Sequence, residues 1–336
     1  MMPDFGFPAQ PRQASIKTLV AGLRERSDDA RVASVTERFA DVTNELDGRV
    51  SELMQIEKSI RDLQGYSEAI ALSEGRASTS QQALEQIRES AQEISDTTDI
   101  LRTNGTIRDF ETLSIQATGQ LQSIVANLNS SFAGRNLFAG DAVQTSPIAD
   151  TDTIIASVLP FLEAATTAPN GYDALRDEFL NAGATFETSI YLGGADEAPV
   201  TEVGVGERVD YSVKADQTGI REVLFNMSVM AVAFDQSNAI DPAVREGLLT
   251  RASDGLRSSI GAVTQIQSDL GTAEARIATV KSRNIASEAS LTITYNDLAG
   301  ADAFEAALSL RELENQLEIA FSTTSRLANL SLSNFR

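Results

Sequence analysis

Residues 39–70 read FADVTNELDGRVSELMQIEKSIRDLQGYSEAI, and this stretch decides the fold class. Phe39, Val42, Leu46, Arg49, Leu53, Ile56, Ile60, Leu63, Ser67 and Ile70 recur at alternating steps of three and four, and eight of the ten are apolar. That spacing lays one stripe along a helix, and such a stripe requires a facing helix. The plainest reading is the core of a bundle within the chain.

Working outward, no proline occurs between Pro11 and Pro147, so nothing forces a break over 135 residues. Gly65 and Asn104-Gly105 are the expected interruptions. A second apolar face follows Asp109 through Leu113, Leu121, Ile124, Val125 and Leu128. The middle changes character, with Pro147, Pro160, Pro169 and Pro199 close together. Helices are expected at Thr153–Ala164 and Tyr172–Asn181. Alternating Val, Thr, Ile and Tyr in Thr185–Leu192 and Pro199–Lys214 predict short strands. Helical periodicity returns from Gly219 to the end, broken near Asp241-Pro242, with Asp241 as N-cap and Pro242 at the first helical position.

The sequence thus predicts a mainly α fold: a long antiparallel helical bundle or coiled coil carrying a small β-containing insert. The expected divisions are an N-terminal assembly segment (1–40), the first half of the bundle (41–140) and the insert (141–216). The second half of the bundle (217–300) and a C-terminal assembly helix (301–336) follow.

Composition removes much chemistry. The 336 residues include no Cys and no His, so there is no thiolate nucleophile, no His relay and no Cys or His metal ligand. Every lysine (Lys17, Lys58, Lys214, Lys281) lacks a preceding glycine, so no phosphate-binding P-loop exists. Within the insert, Glu187, Asp196, Glu197, Glu202 and Glu207 show no spacing that marks a catalytic carboxylate pair. No cofactor, metal or enzymatic activity is expected. A net charge of −21, from 48 acidic and 27 basic residues, disfavours nucleic acid as a partner. No apolar run approaches membrane-spanning length, and the N-terminus lacks the pattern of a secretory signal, so no membrane insertion is expected.

The C-terminal stretch carries Leu310, Leu313, Leu317, Ala320, Thr324 and Leu327 in one heptad register, extended by Leu330, Leu332 and Phe335, and Phe321 is counted with its leucines and Phe335 as interface. Residues 319–336 contain no acid, and neither do residues 5–24. An isolated amphipathic helix is marginal in water, so the two ends are expected to pack on each other, on neighbouring subunits, or both. The last stripe is read as an assembly interface, since it runs almost to the final residue.

Gly134-Arg135-Asn136-Leu137-Phe138-Ala139-Gly140, followed by Thr145-Ser146-Pro147-Ile148, resembles the flagellin superfamily, and within it the hook-associated protein 3 family. Gly134, Asn136, Leu137, Phe138 and Gly140 match that family's segment before a variable insert. The ending Ser331-Leu332-Ser333-Asn334-Phe335-Arg336 is similar to the family's C-terminus. The N-terminus departs from the family pattern, with only Ser27-Asp28-Asp29-Ala30 as a vague echo. The resemblance implies a secreted, extracellular structural subunit of the bacterial flagellum, joining hook to filament after type III export. It implies self-association in a ring and contact with a neighbouring hook-associated protein and flagellin. It also implies an export chaperone on the apolar C-terminal region. The alternatives are filament flagellin and, outside the superfamily, a cytosolic coiled-coil scaffold.

Overall fold

The computed structural model describes residues 10–41, 49–196 and 200–333. They form α1 (Gln10–Thr36), α2 (Val50–Asn104), α3 (Ile107–Leu128), β1 (Ser131–Phe132), β2 (Arg135–Asn136), α4 (Thr151–Glu163) and α5 (Ala168–Leu180). After a π-helical turn (Phe186–Ile190) come β3 (Thr201–Gly204), β4 (Glu207–Val209), α6 (Thr218–Ala233), α7 (Pro242–Ala299) and α8 (Ala303–Ser333). The fold is mainly α with a small β-containing insert, as the sequence predicts. The chain divides into two compact units, one from Met1–Gln64 with Ile285–Arg336 and the other Gly65–Asn284.

In the larger unit, α2 and α7 run antiparallel. The Gln81 amide donates to Gln267 O at 2.7 Å, and Lys281 Nζ lies 2.7 Å from Glu74 Oε2. Leu84, Ile87 and Ile94 of α2 share one core with Leu248, Leu256 and Val263 of α7 and with α3 and α6. α6 is apolar on nearly every side and is buried nearly all round from Val223 to Ala233, as such a helix must be. α4 and α5 pack on α6, where Tyr172 and Phe179 meet the Phe225 ring at centroid distances of 4.8 and 5.6 Å.

The expected break at Asn104-Gly105 is present. α3 restarts at Ile107, two residues before the expected Asp109, because Thr106 and Asp109 form a reciprocal capping box. Asp241 caps α7 by accepting from the Ala243 N–H at 2.8 Å, and Pro242 opens the helix. Gly65 does not interrupt α2: one glycine costs only about 1 kcal/mol in a helix interior, which a 55-residue helix absorbs. The heptad stripe holds from Leu53, but Phe39 is not helical. Glu37 adopts φ 56°, ending α1, and the Phe39 N–H donates to Ala299 O. Val42 and Leu46 lie outside the described residues. The second helical half has a further break at Gly300, before α8.

Thr185–Leu192 is not a strand. Its first part winds into the π-turn, and only Tyr191 pairs, by an isolated antiparallel bridge to Ile148. The Glu187 carboxylate accepts from Gly183 N–H at 2.8 Å and from Arg221 Nη2 at 2.9 Å, and Phe186 is fully buried. These contacts outweigh the local preference of Thr188 and Ile190 for extended backbone. The second expected strand region does pair, as an antiparallel β3–β4 hairpin. Val203 and Val209 of this hairpin pack with Ile70, Ile277 and Val280, and Asn284 Nδ2 donates to Val203 O.

Candidate assembly interface

Two places gather the residues singled out in the sequence. The first is the pair of terminal helices. Asp302 starts α8, its carboxylate accepting from the Phe304 and Glu305 N–H groups at 2.8 and 3.2 Å. Just before it, Arg38 and Gly300 form an antiparallel bridge, and the Ala301 N–H donates to Glu37 O at 2.9 Å. The exit of α1 is thereby sewn to the entry of α8, which sets the two helices antiparallel. Arg38 also stacks over the Tyr295 ring, whose hydroxyl donates to Glu57.

Along the pair, α1 buries Leu23, Ser27 and Ala33, and α8 buries Leu313. Small Ser and Ala positions on α1 leave room for the larger leucines of α8. Leu310 and Leu317 are half-buried, while Phe321 is 46% exposed with the Arg24 guanidinium 5.1 Å from its ring centroid. Leu327, Leu330 and Leu332 belong to the last turns of α8, with side chains outside the described set, and Phe335 lies outside the described residues. From Leu310 to Leu317, the described part of the stripe therefore has a partner within its own chain. The outer face of α8 is not wholly polar, however: interspersed with its charged residues, Phe304, Leu308 and Ile319 are 73%, 50% and 65% exposed. Helical spacing puts these three on the side opposite Leu313, and no signal for this second stripe was taken from the sequence.

The second place is the motif before the insert. Ala133 and Gly134 take φ 50° and 73°, giving the two-residue turn of the β1–β2 hairpin. The Asn136 N–H donates to Val143 O, and the Asn136 amide reaches the same oxygen at 3.3 Å. Leu137 is half-buried, and Phe138 is wholly buried in the main core while its carbonyl accepts from Ala215 N–H. Gly140 has φ 60°, and a Cβ there would run into Asp196 O. The next residue, Asp141, donates its N–H to that same oxygen. Buried Lys214 completes the knot, its ammonium 2.8 Å from Ala195 O and 2.9 Å from Asp216. Gly134 to Gly140 thus tie both ends of the insert, residues 142–143 and 194–215, to the bundle.

Two of the insert's acids have structural employment. Glu187 holds the π-turn, and Glu207 pairs with Arg283 and Arg276 of α7. Glu197 lies outside the described residues.

Together these features define a class: a helix–insert–helix chain whose first and last helices pair with each other. No family model and no curated protein matches the sequence. Among solved structures, the chain shares its fold with a protein described as a flagellar hook-associated protein from Vibrio parahaemolyticus. The TM-score is 0.55 at 15% identity, covering 73% of this chain and 95% of that one. FlgL of Bacillus cereus aligns at 0.45 with 15% identity over 70% of this chain and 98% of that one. Flagellar hook-associated protein-3 of Legionella pneumophila aligns at 0.45 with 12% identity over 74% and 97%. The likeness to the Vibrio protein is one of fold.

Proposed function

We propose that this chain is a structural subunit of the bacterial flagellum that joins hook to filament and assembles through its terminal helices. The observation that carries this reading is the fold shared with nearly the whole of the Vibrio protein. The helix pair supports it physically. A pair that buries few side chains between its helices and exposes Phe304, Leu308 and Ile319 gains by covering that outer face with identical neighbours. In this reading Leu310, Leu313 and Leu317 hold the pair together. Phe321, Leu327, Leu330, Leu332 and Phe335 extend the contact toward the hook, the flagellin and copies in a ring. Export before folding suits a chain without disulfides, and a chaperone then covers the apolar C-terminal region. No catalytic step is assigned to it.

Antibody labelling of isolated hook–filament structures tests the proposal. A single band at the hook–filament boundary is the expected result. Label along the whole filament would make the chain a flagellin instead, and absence from sheared flagella would favour a cytosolic scaffold.

A further inference from the structure

One recess in the larger unit has a charge balance unlike the rest of the chain. It is a cavity of about 40 Å³ between α2, which supplies Arg76 and Ser80, the β1–β2 hairpin, which supplies Arg135 and Asn136, and the segment holding Asp210 and Tyr211. Arg76 is drawn inward by one long bond from its Nη1 to the Tyr211 hydroxyl, 3.3 Å away. Its Nε–H is buried and has no acceptor among the described residues. Beside Arg76, Gly75 lets the Phe132 ring lie directly against α2, which brings the hairpin and Arg135 up to the helix.

Neither Arg76 nor Arg135 makes an ion pair among the described residues, although the chain holds 48 acids against 27 bases. Among the described residues Asp210 is the one acid on the wall, and its Oδ1 accepts from the Ser212 N–H and hydroxyl at 2.9 and 2.7 Å. Among the described residues, two guanidinium groups and one carboxylate line this wall, together with a buried donor lacking an acceptor. A partly dehydrated guanidinium binds an anion more strongly than it binds water. The volume admits a group of only a few atoms.

We propose that this recess binds a small monovalent anion, a halide or the carboxylate of a small acid, held by Arg76 Nε–H and the Arg135 guanidinium. The anion would join α2 to the hairpin that opens the insert.

The test is arginine-side-chain NMR on the full chain, following the Arg76 Nε–H resonance. Sodium chloride and sodium acetate are titrated separately, at ionic strength fixed with sodium benzenesulfonate, whose ring is too large for the cavity. A saturating shift with either anion is expected. Saturation with chloride alone identifies a halide site, and tighter saturation with acetate identifies a carboxylate site. Arg135→Gln, at a half-buried hairpin position, should weaken the affinity at least tenfold, and Arg135→Lys should restore part of it. A shift that is absent or strictly linear for both anions would mean a recess holding water only and would overturn the proposal. Saturation with unchanged affinity in Arg135→Gln would overturn the assigned ligands. If Arg135→Gln fails to fold, the wild-type titration and Arg135→Lys decide.

Discussion

Leu313→Ala probes the terminal helix pair directly. Leu313 is 9% exposed and is the one buried leucine that α8 contributes among the described residues. Full burial of a leucine side chain is worth about 1.5–3 kcal/mol. In a dense core the cavity left by truncation raises the loss toward about 5 kcal/mol. Here that extra term is small, because Leu313 already borders an open groove of about 530 Å³ lined by Arg26, Ala30, Ala33 and Ser309. Neighbouring side chains and water can close over the gap. The expected loss is therefore about 2 kcal/mol, or roughly a thirtyfold rise in the opening equilibrium of the pair. Amide hydrogen exchange reads this locally. The Leu23, Ser27 and Ala33 amides should exchange roughly thirtyfold faster in the variant, while Leu84, Ile87 and Leu121 in the other unit keep their rates. An unchanged rate at Leu23, or an equal acceleration at Leu84, would refute the reasoning that the pair opens as a thin, separately held element.

Phe138→Ala removes a wholly buried ring from the main core and should cost about 3–5 kcal/mol in urea unfolding, with a loss below about 1 kcal/mol contradicting its place as the anchor of the insert. Arg88, and after it Gln267, hold the Glu85 carboxyl down from 4.5 to about 2. A lowered folded pKa means that the stabilisation is complete above about pH 4.5 and fades as pH falls toward 2, so the stability gap between wild type and Glu85→Gln should shrink over that window and not above it. On the proposed function, Ile319→Asp, on the exposed face of α8, should leave unfolding of the monomer unchanged and the protein secreted, yet cells should shed their filaments. Firm attachment with this variant would exclude that face from assembly, and Asp196→Ala should leave filaments attached.

The helix–insert–helix plan was legible wherever the apolar period ran long. Leu53, Ile56 and Ile70 are buried at the expected steps because a heptad repeated over several turns leaves one face no choice. Phe39 broke the pattern through a single backbone turn at Glu37, and nothing local in the sequence distinguishes that residue from a helical one. Thr185–Leu192 misled for a related reason. Its β-branched residues favour extension, but Arg221, 34 positions beyond Glu187, binds the turn into place. The motif residues were visible as a pattern, whereas their work was not. Phe138 meets Ala215 and Gly140 meets Asp196, and such pairings appear only once the chain is closed. The outer stripe of Phe304, Leu308 and Ile319 was overlooked because the stronger leucine register on the same helix masks it. The arginine recess draws on three distant segments and leaves no linear trace.

The antiparallel closure of α2 on α7 also has a temporal side. Glu74 waits for Lys281, 207 residues later, and Gln81 for Gln267, while in α3 Ser114 waits for Ala231 of α6. Contacts so distant in sequence make folding slow, because long loops must close before any packing repays them. A ribosome adding about 5–20 residues per second needs on the order of ten to forty seconds to pass from α2 to the far end of its partner. For that interval Leu84, Ile87 and Ile94, later sealed in the core, stand open on a nascent helix. A chain halted before α6 should hold that face open indefinitely and bind more of a hydrophobic dye than the full chain does. The newborn molecule therefore passes through a long adhesive youth, set by the order in which its halves are made.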